Sequence, residues 1–364
     1  MGIAFKGHAP FATGNARPYG IGNTPKFEPR REQTLPRVPH SLEPEARARS
    51  PGSLWSSSLP TVTIFLCTLN GARFLQEQLD SIAAQTYGSW RLIVSDDGSE
   101  DGTLEILDRY RHKLQDPRRL ELRAGPRRGP AANFLSLMSD PRIEDAYFAC
   151  CDQDDIWLPD KLKRALTWLE SVPGHTPAVY FSRTSYIAAD GRGIGLSPLF
   201  RKPPAFRNAL VQSIGGGNTM VFNVAAHDLL VRAGPVDVAC HDWWTYLLVS
   251  GAGGHVHYDP VPTVAYRQHD RNEIGANRGF RASLARARAV VAGQVRTWLN
   301  LQTAALLASA HLLTPENRKV LADACAMRSA SFMCRIKAWR QIRLYRQTFR
   351  GQVGLMLAVL TCKI

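Results

Sequence analysis

Two glycine-rich phosphate signatures are missing from this 364-residue chain, and each absence removes a class. GxxxxGK followed by Ser or Thr does not occur, which excludes a P-loop. The first predicted strand runs into Thr68-Leu69-Asn70-Gly71-Ala72-Arg73, with one glycine where a dinucleotide fingerprint needs several. There is no CxxC, and the seven cysteines (Cys67, Cys150, Cys151, Cys240, Cys325, Cys334, Cys362) are odd in number and scattered, so no disulfide framework or zinc site is implied. The N-terminus lacks the continuous apolar stretch of a secretory signal, and the expected location is the cytoplasm. The C-terminal apolar run, 353–362, is too short to cross a bilayer, which takes about 20 residues. No internal repeat is found.

Acidic residues are scarce at the two ends. The net charge of +14 divides into +4 for residues 1–58, −3 for 59–277 and +13 for 278–364. A nucleic-acid reader carries its positive field on the folded domain. This chain puts it on the tails, which argues against nucleic acid and for an anionic surface such as lipid head groups. Residues 1–58 are rich in Pro, Gly, Ser and Arg without periodicity, and are expected to be a disordered basic segment, or an upstream start.

What is present begins at Pro60. Residues 62–67 form a continuous β-type run, and Phe74, Leu75, Gln78, Leu79, Ile82 and Ala83 follow at helical spacing. Strands are predicted at 92–94, 120–123 and 146–150, with helices at 103–111 and from Pro130 through Met138. Strand–helix alternation with short connections implies a mostly parallel, three-layer α/β/α sheet. Beyond it the pattern is mixed. Strands are predicted at 179–181, 219–222, 256–258 and 264–266, a helix at 242–250, and helical cationic text from Phe280 to the end.

The stretch Cys151-Asp152-Gln153-Asp154-Asp155-Ile156-Trp157 concentrates three carboxylates behind the fourth strand, with Pro159 near the first position of the next helix. Ligands sit at that edge of an open α/β sheet. Crowded carboxylates need a cation or a raised pKa, and Mg²⁺ or Mn²⁺ shared with substrate phosphates suits them; capping of a solvated turn would also explain Asp there. Ser95-Asp96-Asp97-Gly98-Ser99 ends strand two in the same way, and the pair of motifs favours a nucleotide site over two simple turns. His241-Asp242-Trp243-Trp244 offers a carboxylate at a helix start beside two indoles, either a general base in a shielded site or an N-cap above core tryptophans. In Tyr266-Arg267-Gln268-His269, His269 could ligate a metal or contact phosphate, and Arg267 could contact phosphate. Gly215-Gly216-Gly217-Asn218 is either a flexible turn or a set of backbone donors for an anion.

Taken together, these residues resemble a family 2 glycosyltransferase with the GT-A fold. The matching pieces are Thr68-Leu69-Asn70-Gly71, the helix with Phe74, Leu75, Gln78, Leu79, Ser81 and Ile82, Gln85-Thr86-Tyr87, Ser95 to Ser99, Asp152 to Trp157, Gly217-Asn218-Thr219-Met220, His241-Asp242-Trp243 and Tyr266 to His269. They run through about 60–275 in the family's order, and are most similar to bacterial rhamnosyltransferases of surface polysaccharide synthesis. The resemblance implies that Thr68 and Asn70 lie beside the nucleotide, that Asp96 and Asp97 hold base and ribose, and that Asp152 and Asp154 form the DxD element binding the sugar diphosphate through a divalent metal. It implies Asp242 as the catalytic base and His269 at the diphosphate–metal site, with Gly217, Asn218, Trp243 and Arg267 around the donor. His241 stands where an acidic residue is common, which bears on how the base is tuned. The last motif lacks the QxxRW form of processive synthases, so single additions are expected.

The expected organisation is therefore a basic N-terminal segment (1–58), a GT-A domain (59–277) and a basic amphipathic helical region (278–364) lying on the inner face of the membrane. The expected activity is inverting, metal-dependent transfer of a sugar such as L-rhamnose from dTDP-rhamnose to a glycan or lipid-linked acceptor. The alternatives are a non-catalytic carbohydrate- or lipid-surface-binding protein on a degenerate transferase fold, and a nucleotidyltransferase, which would not need the Asp242–Trp243 wall.

Overall fold

The computed structural model describes residues 59–269 and 294–361. The expected disordered segment 1–58 and the 277/278 domain boundary lie outside the described residues. Strand β1 (Val62–Thr68) is buried along its whole length, and its side chains alternate between two cores. Val62, Ile64 and Leu66 face one side, Phe65 and Cys67 the other. This two-sided burial is why the segment reads as an unbroken apolar run.

The chain continues through α1 (Leu75–Ala83), β2 (Trp90–Asp96), α2 (Thr103–Lys113), β3 (Leu120–Ala124), α3 (Pro130–Met138), β4 (Tyr147–Cys151), β5 (Ile156–Trp157) and α4 (Lys161–Leu169). Then follow β6 (Ala178–Ala188), β7 (Gly193–Leu196), α5 (Phe206–Ala209), β8 (Val221–Asn223), α6 (Val224–Ala233), α7 (His241–Gly251) and β9 (His255–Gln268). The sheet order is β3-β2-β1-β4-β8-β6-β9-β5, with β7 paired to β6. Strands β3, β2, β1 and β4 are parallel, as the alternation requires, and β6 pairs parallel with β9. Strand β8 runs antiparallel to both β4 and β6. Helices α1, α2 and α4 cover one face, while α3, α5, α6 and α7 cover the other, giving the three-layer α/β/α arrangement expected.

Local chemistry sets several boundaries. Pro130 opens α3 behind Gly129, whose φ of 87° favours glycine. The Asn223 side chain caps α6 by accepting from Ala226 N at 3.0 Å. Helix α4 starts at Lys161, so Pro159 precedes it rather than occupying its first turn. Residues 217–219 form a 3₁₀ turn, and β8 begins only at Val221. The two short strands expected at 256–258 and 264–266 are one strand, β9. Its ladder with β6 skips between Asp259 and Val264, where Pro260 and Pro262 have no N–H to give. Elements β5, β7, α5 and α6 are not evident from the pattern.

The C-terminal helices are α8 (Gln294–Ala308), α9 (Pro315–Ser329), α10 (Phe332–Ile342) and α11 (Phe349–Leu360). Leu306, Leu321, Ile342, Leu344, Leu355 and Val359 join the core on the α5–α7 side. Asn208 Nδ2 donates to Tyr345 O at 2.9 Å, and Gln347 N donates to Gln212 Oε1 at 2.9 Å. Among the described residues, no helix is long and apolar enough to cross a membrane.

Candidate active site

The parallel register carries Thr68, Asp96 and Cys151 to one edge of the sheet: Thr68 pairs with Asp96, and Leu66 with Cys151. Both acidic motifs therefore follow strand ends on that edge, where ligands of such sheets bind. Asp96 is buried and accepts from Thr68 Oγ1 (2.7 Å), Ser99 Oγ (2.6 Å), Ser99 N (2.7 Å) and Gly98 N (3.0 Å). Burial alone would raise its pKa, but these hydrogen bonds outweigh it and hold the carboxyl below the usual range. Asp97 accepts from Arg127 N at 2.6 Å and Gly129 N at 3.0 Å, pinning the turn before α3. Asn70, with φ of 50°, donates its N–H to Ser99 Oγ at 2.8 Å and accepts from Glu100 N at 2.8 Å. Thr68, Asn70, Asp96 and Asp97 thus form one connected rim.

The acidic loop is fixed from both directions. Gln153 pairs with the backbone of Leu69, accepting from its N–H at 2.9 Å and donating to its carbonyl at 3.0 Å. A Cβ on Gly71 would lie 2.2 Å from Gln153 Oε1, so glycine is what allows the approach. His269, at the far end of β9, brings Nε2 to 2.7 Å from Asp154 Oδ2. Asp155 is fully buried, and accepts from the Asn218 side-chain amide and from Arg267 N at 3.0 Å. Burial first, and the Asp154 charge second, push its carboxyl upward.

Arg267 differs from expectation. Its side chain is 1% exposed and is held by Glu77 at 2.6 Å, the carbonyls of Asp154 and Ala189 at 3.0 Å each, and the face of Phe74 at 4.6 Å. A guanidinium so committed shapes the acidic loop rather than lining a donor pocket. Trp243 is likewise mostly buried, with Nε1 donating to Ala209 O at 2.6 Å, and Trp244 is fully buried core.

Asp242 lies in the first turn of α7 and takes hydrogen bonds from the backbone N–H groups of Trp243 and Gly217. Burial dominates these and pushes its carboxyl up to about 6, a value suited to a base near neutral pH. His241 points the other way: it stacks on Phe134 at 4.0 Å, and burial pushes its imidazole down to about 3. It is therefore neutral. A Cβ on Gly217 would meet His241 Nε2 at 2.2 Å, so the ring and the turn are fitted to each other. Gly217 and Asn218 make the link across the site: one donates to Asp242, the next to Asp155. Burial first, and the charges of Asp152 and Asp242 after it, raise the Cys150 thiol.

A divalent metal can be tested against these donors. Asp154 and His269 are in contact, and a carboxylate with an imidazole suits Mn²⁺ or, with substrate phosphates completing the shell, Mg²⁺. Among the described residues, no three His, Cys, Asp or Glu side chains cluster to hold a metal by themselves. Asp152, Asp154 and His269 therefore do not make the closed protein site that three ligands would suggest; the donor set fits an ion that a diphosphate helps to hold. A separate cavity of about 230 Å³, lined by Phe206, Ser250 and Asn317 among others, includes none of the candidate residues.

Three contributors escaped the sequence reading. Gln153 and Asp155 sit inside the acidic motif, and their structural parts are set by Leu69 and Asn218, partners distant in sequence. Lys161 is fully buried under the loop, its Nζ 4.5 Å from the Trp157 ring, with no hydrogen-bond partner among the described residues. Burial pushes its ammonium down to about 7, opposed by the charges of Cys151, Cys150, Asp155 and Asp152. Its spacing to Ala165 and Leu169, on the apolar side of α4, was the available signal.

Residues 63–225 match the model of the "Glycosyl transferase family 2" family. The dTDP-rhamnosyl transferase RfbG of Shigella flexneri is 29% identical over 230 residues, 61% of this chain and 77% of that protein. The putative teichuronic acid biosynthesis glycosyltransferase TuaG of Bacillus subtilis is 28% identical over 132 residues, 36% of this chain and 50% of that protein, so the match spans only half of TuaG's length. Among solved structures, the mannosyltransferase PcManGT from Pyrobaculum calidifontis, in complex with GDP-Man and Mn²⁺, is 20% identical with a TM-score of 0.45, covering 84% of this chain and 86% of its own. With strand-end carboxylates on one sheet edge and a family match over the segment that builds them, the chain is a glycosyltransferase carrying a family 2 domain.

Proposed function

We propose that this protein transfers a sugar, L-rhamnose from dTDP-rhamnose, with inversion to a hydroxyl of a glycan or lipid-linked acceptor of a cell-surface polysaccharide, with Asp242 as the base. The observation that carries the reading is the Gly217–Asn218 turn, which ties Asp242 to the acidic loop through Asp155. A base and a charge-handling loop joined by two adjacent residues suit a reaction in which a proton is removed on one side of a carbon while a diphosphate leaves on the other. The name of the relative in Shigella flexneri supports the choice of dTDP-rhamnose, and that in Bacillus subtilis supports a polysaccharide acceptor.

In this mechanism the Asp96–Asp97 rim receives the nucleoside. Each Asp97 oxygen accepts one backbone donor and keeps a lone pair for a further donor from base or ribose. Both Asp96 oxygens already accept two donors each, so Asp96 fixes the rim on which Asp97 presents itself. Asp154 and His269, with Asp152 on the same loop, would hold a Mg²⁺ or Mn²⁺ ion, whose charge would lower the cost of diphosphate departure. Asp242 accepts the proton of the acceptor hydroxyl. That oxygen bonds to the anomeric carbon as the bond to the phosphate oxygen breaks, so one displacement inverts the centre and needs no enzyme nucleophile. The neutral, buried His241 adds no charge that would lower the pKa of Asp242. The acidic balance of 59–277 argues against a nucleic-acid partner, and the cationic C-terminal helices suit peripheral attachment to the inner membrane surface.

The reading is tested by incubating purified protein with dTDP-rhamnose, Mn²⁺ and acceptor glycan, and recording the anomeric proton of the product by NMR. Transfer with inverted configuration supports it. Retained configuration, or transfer of a nucleotidyl group in place of a sugar, would overturn it.

A further inference from the structure

Helix α11 is apolar around most of its circumference, yet only one side is covered. Leu355 and Val359 are buried against the body of the protein. Phe349, Val353, Met356 and Leu357 fall within about 100° on the opposite side, at 83, 36, 38 and 53% exposure. Phe332 and Met333, 54 and 72% exposed, begin α10, whose Arg335 Nη1 donates to Val359 O at 3.3 Å and so sets that end of α10 beside α11. A helix apolar on all sides belongs in an interior, and one left half bare marks a surface that something else covers.

The charge around it selects the cover. No Asp or Glu follows Asp323 in the sequence, whereas eight Lys and Arg do. Arg340, Arg343 and Arg350 are all exposed at the junction of α10 and α11. An apolar stripe with a purely cationic rim is the composition of an interfacial helix that sinks its apolar face among acyl chains and keeps its cations at anionic head groups. Deepening the peripheral-membrane part of the proposed function and resting on it, we propose that the exposed face of α11, with the start of α10, docks this protein on an anionic lipid bilayer. The scaffold then links membrane to chemistry. Helix α5 binds the α10–α11 junction through Asn208 and Tyr345 O, and accepts Trp243 Nε1, next to Asp242, on Ala209 O. Helix α5 is thus the hydrogen-bonded link between the α10–α11 junction and Trp243, the neighbour of the candidate base.

The test is co-sedimentation of the full chain with vesicles of phosphatidylcholine alone or with about one third phosphatidylglycerol, at low and high salt. Wild type is expected to bind the anionic vesicles at least tenfold more tightly than the neutral ones, with binding falling as salt rises. Phe349→Ser with Leu357→Ser should lose at least tenfold while keeping the melting temperature, since both side chains face solvent. Arg340→Gln with Arg343→Gln and Arg350→Gln should remove the preference for anionic lipid. Absence of wild-type binding to anionic vesicles, or equal binding by the serine variant, overturns the proposal. A wild-type dimer that the serine variant dissociates also overturns it, by showing that a second copy covers this face. Vesicle binding is read without donor or acceptor, so a failure of the catalytic reading leaves this result separately visible.

Discussion

His269 Nε2 lies 2.7 Å from Asp154 Oδ2, joining the end of β9 to the acidic loop across 115 positions of sequence. The proposed diphosphate–metal role rests on that pairing, because neither side chain could hold an ion alone. Asp154→Asn and His269→Ala should each weaken Mn²⁺-dependent binding of dTDP-rhamnose by about tenfold or more. The double variant should lose little beyond the worse single one, because both act at one point. Calorimetric titrations of the four proteins form the cycle; fully additive losses would mean the two residues act at separate places.

Asp242→Asn keeps the shape of the site and removes the proton acceptor. Turnover should fall by about 10²- to 10⁴-fold, the range for loss of a general base, with donor affinity nearly unchanged. Steady-state kinetics beside donor titration measure both. A variant with most of its turnover would exclude Asp242 as the base.

The carboxyl of Asp242 is raised to about 6, and this has two consequences of definite sign. Activity should fall as pH drops through about 6, because the acid form cannot accept a proton. Stability moves oppositely. In the unfolded chain the group titrates near 4, so between about 4 and 6 the folded state binds more protons. The contribution of Asp242 to stability therefore declines as pH rises through that window and stays low above it. Asp242→Asn should melt a few degrees above wild type at pH 7.5, with the gap closing toward pH 4. A gap independent of pH would contradict the burial-driven shift.

Gly217→Ala tests the turn. The added methyl would meet His241 Nε2 at 2.2 Å, and the stacked ring has Phe134 on its face. The change should cost about 1–3 kcal/mol of stability, the usual range for overpacking, and should lower turnover more than donor affinity. Replacing His241 as well, with the smaller Ser, should recover part of both. Urea unfolding and kinetics on the single and double variants check this.

Much of the N-terminal half was legible because its physics is local. The two-sided apolar runs of β1 and β4, the acidic strand ends and the Pro130 helix start all follow from neighbours in sequence. The pairing of Asp154 with His269 was reachable only by resemblance, since nothing near either residue encodes the other. The burial of Arg267 is not legible in the sequence, for a physical reason. A cation close to a candidate metal ligand suggests phosphate, but its burial and its partner Glu77, 190 positions away, depend on tertiary packing. Pro260 and Pro262 likewise made β9 look like two strands, because a skipped ladder and a turn have the same composition. In the sequence Asp155 is one more acid of the loop, and its part as a buried anchor for Asn218 and Arg267 depends on residues 63 and 112 positions away.

The most direct test of the account is calorimetric titration of dTDP-rhamnose into wild type and Asp242→Asn, with Mn²⁺ and then with excess chelator. The account predicts that both proteins bind the donor with Mn²⁺, that chelator abolishes binding in both, and that only wild type passes the sugar to acceptor. Folded wild type that binds no nucleotide-sugar under any of these conditions, with UDP- and GDP-sugars included, would contradict it.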